Sequence, residues 1–109
     1  MAVSEDFKNY VADQLGAIEP VDFKKMFGGY GIFKDGLMFG MISPGDIFRL
    51  RADEQNQQDY ENAGMEQFPS HHGKKGMPYW SVPAQVLEDT DKLRSWALKS
   101  IDAAQRTKK

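Results

Sequence analysis

The stretch of sequence that most limits the fold runs from Met26 to Met41, where two apolar segments flank Asp35-Gly36. An Asp-Gly pair favours a type I′ turn, because both central residues need a positive φ and glycine adopts one without a steric penalty. With this pair at the tip, Lys34 faces Leu37 across the two strands. The segment is therefore predicted to form a β-hairpin.

The flanking sequence extends this hairpin into an antiparallel sheet. The first strand is predicted at Lys25–Phe33, where three glycines require close packing or a bulge, and the second at Leu37–Ser43. Pro and Gly in the middle of Ser43–Asp46 are typical of a type II turn. The third strand, Ile47–Arg51, alternates apolar and basic residues. A later strand is predicted at Gly76–Val82, and the proline within it restricts it to an edge or a bulge.

Helices are predicted on both sides of the strands. Ser4 is a good N-cap for the first helix, whose apolar face recurs at helical spacing: Phe7, Val11, Leu15 and Ile18. A polar helix capped by Asp53 is expected to run to about Ala63, and a short helical turn is expected to begin at Val82-Pro83. Asp89 or Thr90 caps the last helix, which has a second apolar face: Leu93, Trp96, Ala97, Ile101 and Ala104.

These elements predict one α+β domain over residues 1–109, with the order αβββαβα. Its antiparallel sheet would be a three-stranded meander plus a later edge strand, packed with the N- and C-terminal helices. The length of 109 residues suits a single domain.

Composition excludes several classes of protein. A net charge of −2 argues against a protein that coats nucleic acid by bulk charge. There are no cysteines, which removes disulfides and thiol chemistry. No apolar run approaches the roughly 20 residues needed to cross a bilayer, and the acidic N-terminus does not resemble a secretory signal. We therefore expect a cytoplasmic protein that does not bind a membrane.

The residues that could carry chemistry do not form a recognisable constellation. Gly28, Gly29 and Gly31 lack the spacing of a phosphate-binding loop, so a structural role in tight packing is expected. His71 and His72 are adjacent and would point to opposite sides of an extended chain, so no metal site is predicted. No serine lies in a motif that would activate it, and the carboxylates of the second helix form a solvated face. We expect neither catalysis nor a cofactor.

Basic and aromatic residues do interleave along the predicted sheet. The predicted binding residues are Tyr30, Arg49, Arg51, Tyr79 and Trp80. The arginines could pair with carboxylates of a protein partner while the aromatic rings supply contact area. Alternatively, nucleic-acid bases could stack on the rings of the same patch.

Motifs along nearly the whole chain resemble one known family. They are Met26-Phe-Gly-Gly-Tyr-Gly-Ile-Phe33, Asp35-Gly-Leu-Met-Phe-Gly40, Phe48-Arg-Leu-Arg-Ala-Asp53, Gly64 with Phe68, Pro78-Tyr-Trp-Ser-Val-Pro83, and Leu93 with Trp96-Ala97. In this order they are similar to the N-terminal domain of the TfoX/Sxy family, bacterial proteins associated with the regulation of natural competence.

The resemblance implies an α+β domain that regulates or co-regulates transcription through other proteins. Longer family members carry a second, helical domain, so this chain is expected to be a stand-alone first domain. The basic position before the Met-Phe-Gly-Gly motif, often Arg in the family, is Lys24 or Lys25 here.

Three function classes remain open from the sequence. The first is a non-enzymatic protein-interaction module connected with transcriptional regulation, whose partner is an unidentified protein. The alternative is a nucleic-acid-binding domain that uses the same basic and aromatic patch, and the third is an enzyme acting on a small ligand in a deep pocket. A symmetric homodimer is also expected, through the edge-capable strand near Tyr79.

Overall fold

The computed structural model of the chain describes residues 4–18, 20–26, 28–67 and 78–107. Its helices are α1 (Glu5–Gln14), α2 (Gln57–Asn62), α3 (Ala84–Leu87) and α4 (Thr90–Thr107). Its strands are β1 (Asp22–Met26), β2 (Gly29–Lys34), β3 (Leu37–Ser43), β4 (Ile47–Arg51) and β5 (Tyr79–Ser81). Helices at both ends of the chain and an antiparallel sheet between them confirm the predicted α+β class.

The five strands lie side by side in chain order, each antiparallel to the next. The single strand predicted at Lys25–Phe33 is corrected: it divides into β1 and β2, which adds one strand to the predicted meander. The chain reverses at Gly28, whose φ of +78° is readily adopted by glycine and disfavoured for other residues. This reversal brings Met26 opposite Gly29.

The hairpin between β2 and β3 forms as predicted. Asp35 and Gly36 have φ angles of +52° and +82°, both positive as a type I′ turn requires. Lys34 pairs with Leu37, so the predicted register is confirmed. The register then shifts next to Ile32, where β3 contains a bulge.

The turn between β3 and β4 also agrees with its sequence. Gly45 has a φ of +90°, which fits the third position of a type II turn. Asp46 adds a second left-handed residue, with a φ of +59°. In β4, Phe48 and Leu50 are buried in the core and Ile47 is exposed, as alternation predicts.

The helices cover one face of the sheet. The Ser4 hydroxyl accepts a hydrogen bond from the Phe7 amide at 3.1 Å and so caps α1. The apolar residues predicted for α4 are buried except for the half-buried Trp96. They pack on a core whose main members are Val11, Leu15, Ile32, Phe39, Ile42, Phe48, Leu50, Leu93 and Ala97.

The second helix is shorter than predicted. Asp53 opens a turn in which its carbonyl oxygen accepts hydrogen bonds from Asn56 and Gln57, and α2 begins only after that turn. The helix packs through Tyr60, which is 1% exposed. Gly64 takes the predicted left-handed conformation after the helix, with a φ of +75°.

The strand near Tyr79 is also shorter than the predicted Gly76–Val82, and its outer edge is not open. The Ser81 amide donates to the Glu66 carbonyl oxygen at 3.0 Å, and Gln67 forms a bridge with Trp80. The edge on which the predicted homodimer relied is therefore partly paired within the chain. Most of the predicted loop at 66–75, with its two histidines, lies outside the described residues.

Candidate functional site

The register between β4 and β5 decides how the predicted binding residues are arranged. Arg51 lies opposite Tyr79, and Arg49 lies opposite Ser81. Because directly opposite residues share a face, these two arginines and Tyr79 are on one side of the sheet. Trp80 pairs with Leu50 on the other side, which faces the helices.

Tyr30 and Trp80 both belong to that helix-covered face. The Tyr30 hydroxyl donates to the Glu5 carboxylate of α1 at 3.3 Å, and the Trp80 ring centroid lies 6.1 Å from that of Tyr60 in α2. The prediction that all five residues form one patch is therefore wrong. Consecutive strand residues point to opposite faces, which separates Trp80 from its neighbour Tyr79. Tyr30 is two positions from the core residue Ile32 in β2, so both lie on the face that the helices cover.

The face turned away from the helices, called here the outer face, contains the two arginines. Its strand residues are those that alternate with the core residues: Asp22, Lys24, Met26, Gly29, Gly31, Phe33, Met38, Met41, Ser43, Ile47, Arg49, Arg51, Tyr79 and Ser81. The charged members are three cations and one aspartate. The outer face is thus both apolar and basic.

On this face Tyr79 orients Arg51. The Arg51 guanidinium lies 5.7 Å from the centroid of the Tyr79 ring, and one of its Nη atoms is 3.4 Å from the Tyr79 hydroxyl oxygen. That hydroxyl in turn donates to the Met38 carbonyl oxygen, also at 3.4 Å. Tyr79 is only 3% exposed and Trp80 only 8% exposed. Neither ring is therefore available as contact area or as a stacking platform in this conformation.

Arg49 is held by the neighbouring strand. Its Nη1 donates to the Ser43 hydroxyl at 2.8 Å. Burial lowers the pKa of the Arg49 guanidinium from its ordinary value, and an arginine remains charged despite such a shift. A partly desolvated guanidinium in a fixed orientation is suited to bind a carboxylate.

One row of residues crosses the outer face from β1 to β4. Lys24 pairs with Gly31, Gly31 with Met41, and Met41 with Arg49. Since neighbouring strands are about 4.8 Å apart, the backbones of Lys24 and Arg49 are separated by roughly 14 Å. Two cations therefore flank an apolar centre. Sequence reasoning missed Lys24 as a member of this row because β1 was not predicted as a separate strand.

The apolar centre exists because Gly31 has no side chain. The Met26 Sδ and the Phe33 ring each lie 2.9 Å from where a Cβ of residue 31 would be, so they close over the glycine. The Lys24 ammonium sits 4.9 Å from the centroid of the Phe33 ring. Met26, Phe33 and Met38 are half-buried, which leaves part of this apolar surface accessible.

A cleft of about 620 Å³ lies where β4 leads into the turn before α2. Asp53 and Arg106 on its wall form an ion pair with each other, in which Arg106 Nε is 2.6 Å from Asp53 Oδ2. Its remaining lining is largely polar: Arg51, Ala52, Glu54, Gln55, Gln57, Gln67, Pro78 and Trp80.

Within residues 4–18, 20–26, 28–67 and 78–107, no group of three or more His, Asp or Glu side chains could hold a metal ion. No helix in those ranges has the length and apolar character of a membrane span.

Comparison with known protein families gives a match over most of the chain. A comparison with curated proteins finds no similar sequence. The family model described as the TfoX N-terminal domain matches residues 13–104, a range that begins in α1 and ends within α4. It therefore includes the whole sheet and both of its arginines, and the chain belongs to the TfoX N-terminal domain family.

Proposed function

We propose that this domain is a non-enzymatic protein-interaction module that binds its partner on the outer face of the sheet. Its partner would be a protein segment that combines carboxylates with apolar side chains, and its role would lie in transcriptional regulation in the cytoplasm. The regulatory part of this proposal comes from the resemblance to competence regulators. The binding part comes from the geometry of the outer face.

The observation that supports the binding surface most strongly is the row from Lys24 to Arg49. Two cations stand at its ends, and the half-buried side chains of Met26 and Phe33 close over Gly31 between them. Apolar side chains provide the area that a protein partner buries, and guanidinium groups fix its orientation through bidentate pairing. Arg49 is already immobilised by Ser43, so less side-chain entropy is lost on binding.

The geometry favours a protein over a nucleic acid. Single-stranded nucleic acids gain much of their affinity by stacking bases on exposed aromatic rings. The rings of Tyr79 and Trp80 are buried, and they lie on opposite faces of the sheet. The outer face retains cations and half-buried Met and Phe side chains, which suit an acidic and apolar protein segment better.

The test is affinity capture of partners with the wild-type chain and with the double variant Arg49→Gln, Arg51→Gln. The matched control is Lys92→Gln, Arg94→Gln, which removes the same charge from exposed positions of α4. We expect a protein that the wild type and the control retain and that the outer-face variant loses, at equal thermal stability. If all three chains capture the same proteins in equal amounts, the outer face is not the binding surface.

Salt dependence separates the protein partner from the nucleic-acid alternative. A complex that buries apolar area and two charge pairs weakens modestly with salt, whereas a nucleic-acid complex weakens linearly on a log–log scale. Binding to single-stranded or duplex nucleic acid at low salt, lost in the outer-face variant, would favour the alternative.

A further inference from the structure

Strand β1 is an edge of the sheet. Among the described residues it pairs with β2 on one side only, and it stands at the end of the strand order opposite to β5. An edge strand presents backbone N–H and C=O groups that can pair with another strand. This edge, and not the one near Tyr79, is the candidate for association between two copies of the chain.

Symmetry limits how two β1 strands could pair. A two-fold axis perpendicular to the sheet places the outer faces of both copies on the same side of the joined sheet. Two residues that pair across the axis must therefore point to the same face. Consecutive residues of a strand point to opposite faces, so an axis between two residues would pair side chains of opposite faces. The axis must therefore lie at a residue, which then pairs with its own counterpart in the other copy. An axis at one of the five residues of β1 gives five registers. An axis at Met26 sets no charged residue of the strand opposite a charge, so four registers remain to be compared.

Charge distinguishes these four registers. An axis at Asp22 would set two carboxylates against each other, and an axis at Lys24 or Lys25 would set two ammonium groups against each other. An axis at Phe23 places Asp22 of each copy opposite Lys24 of the other, twice by symmetry. Opposite charges directly across an antiparallel pair stabilise it and like charges destabilise it. The strand is therefore self-complementary in one register only.

The side chains are placed as this register requires. Asp22 and Lys24 pair with Phe33 and Gly31 in β2, so both point to the outer face, and both are exposed. Phe23 lies on the helix side, where its ring is 6.4 Å from that of Tyr30. It is half-buried and could contact its counterpart across the axis.

We propose that β1 pairs with β1 of a second copy around Phe23, which joins the two five-stranded sheets into one continuous sheet. The contact is held by the backbone pairing and by the two symmetric pairs of Asp22 with Lys24. One short strand buries little area, so the dimer is weak and forms at high protein concentration. The dimer and the outer-face row both use Lys24, but the dimer is tested with this chain alone and needs no partner protein.

Sedimentation equilibrium of the full chain tests the proposal from about 1 µM to about 1 mM, a range that includes weak association. Wild type is expected to pass from monomer to dimer within this range. Lys24→Asp and Asp22→Lys each convert two opposite-charge pairs into two like-charge pairs, and each should weaken the dimer about tenfold or more.

An equimolar mixture of the two single variants provides the decisive measurement. In a mixed dimer, position 22 of each copy lies opposite position 24 of the other, and each such pair again joins an aspartate to a lysine. The mixture should therefore associate like wild type. The double variant Asp22→Lys, Lys24→Asp should do the same. Lys25→Asp is the matched control, because Lys25 would lie opposite the uncharged Val21, and it should leave the association within about twofold.

Three outcomes would overturn the proposal. They are a wild-type chain that stays monomeric over the whole range, single variants that associate like wild type, and mixed variants that fail to associate. Circular dichroism of each variant verifies that the fold is retained.

Discussion

Arg106 in the last turn of α4 holds the Asp53 carboxylate at two points. Its Nε lies 2.6 Å from Oδ2, and one Nη lies 2.9 Å from Oδ1. The pair connects the C-terminal helix to the turn that precedes α2. The hydrogen bonds from Arg106 are the main reason that the pKa of Asp53 lies below its ordinary value in the folded chain.

This pair predicts a pH dependence of stability. The carboxyl of an unfolded aspartate has a pKa of about 3.9. The pKa of Asp53 in the folded chain lies below this value, so the pair stabilises the fold fully at pH values above it. Its contribution is lost as the pH falls through the lowered pKa of the folded state. In urea unfolding between pH 7 and pH 2, Arg106→Gln should therefore be less stable than wild type at pH 7, and the difference should shrink in acid.

The difference for Arg106→Gln should be modest, because the Arg106 side chain is 37% exposed and solvent screens the pair. Lys99→Gln is the control. Its ion pair with Asp59 has a single short contact of 2.9 Å and is more exposed, so it should cost less stability. A pH-independent difference for Arg106→Gln would contradict the assignment.

Among the glycines that the structure describes, Gly29 is predicted to tolerate substitution least. A Cβ at this position would collide with the backbone carbonyl oxygen of Ile42 in β3, which can move only if the strands separate. We expect Gly29→Ala to lower the free energy of unfolding by about 2–4 kcal/mol. Gly16→Ala is the control. No described atom outside the local chain lies within 4 Å of the added Cβ, so this substitution should be neutral or stabilise slightly.

Local sequence patterns predicted those parts of the fold that depend on neighbours along the chain. The turn at Asp35-Gly36, the left-handed Gly45 and the alternation in β4 all follow from residues a few positions apart. Gly28 shows the limit. Nothing in its immediate sequence distinguishes a glycine that reverses the chain from the glycines within β2, so β1 was missed.

The candidate site was predicted only in part, for a related reason. The alternation of side chains already places Trp80 opposite to Tyr79, and it separates Tyr30 from the arginines once the strands are aligned. The row from Lys24 to Arg49 depends on the register of three strand pairs. Burial of the Tyr79 ring is a tertiary property that strand propensity does not determine.

Ser4 connects the start of α1 to the turn between β3 and β4. Its amide and hydroxyl donate to the two carboxylate oxygens of Asp46 at 2.9 and 3.0 Å, and its hydroxyl also accepts from Phe7. Ser4→Ala should destabilise the chain by about 1 kcal/mol and increase hydrogen exchange at the Phe7 amide. Ser95→Ala, at an exposed position of α4, is the control and should change neither property.

Exchange at Phe7 that is unchanged in Ser4→Ala would show that the cap contributes nothing to the first turn. A comparison with Asp46→Ala separates the two functions of Ser4. That variant removes the connection to the turn and adds strain at the left-handed position 46, but it leaves the cap in place. It should therefore lower stability without the same increase at Phe7.

Tyr60 is the central aromatic residue between α2, α4 and β5, and its hydroxyl is the unusual part of that packing. The ring is 4.7 Å from that of Trp96 and 6.1 Å from that of Trp80. Among the residues that the structure describes, the buried hydroxyl has no hydrogen-bond partner. Burial raises the pKa of Tyr60 above its ordinary value, and the Ser100 side chain offsets part of this rise. The Ser100 hydroxyl itself donates to the Trp96 carbonyl oxygen at 3.1 Å.

A buried polar group without a partner costs free energy, so its removal should not destabilise the fold. We expect Tyr60→Phe to leave the free energy of unfolding unchanged or to raise it by up to ~1 kcal/mol, while Tyr60→Ala lowers it by about 3–5 kcal/mol. Urea unfolding measures both, with Tyr10→Phe at an exposed ring as the control. A clear loss of unfolding free energy in Tyr60→Phe would mean that the hydroxyl is hydrogen-bonded in solution. The double variant Tyr60→Phe, Ser100→Ala would then test Ser100 as the partner, because two residues that bond each other give losses that are not additive.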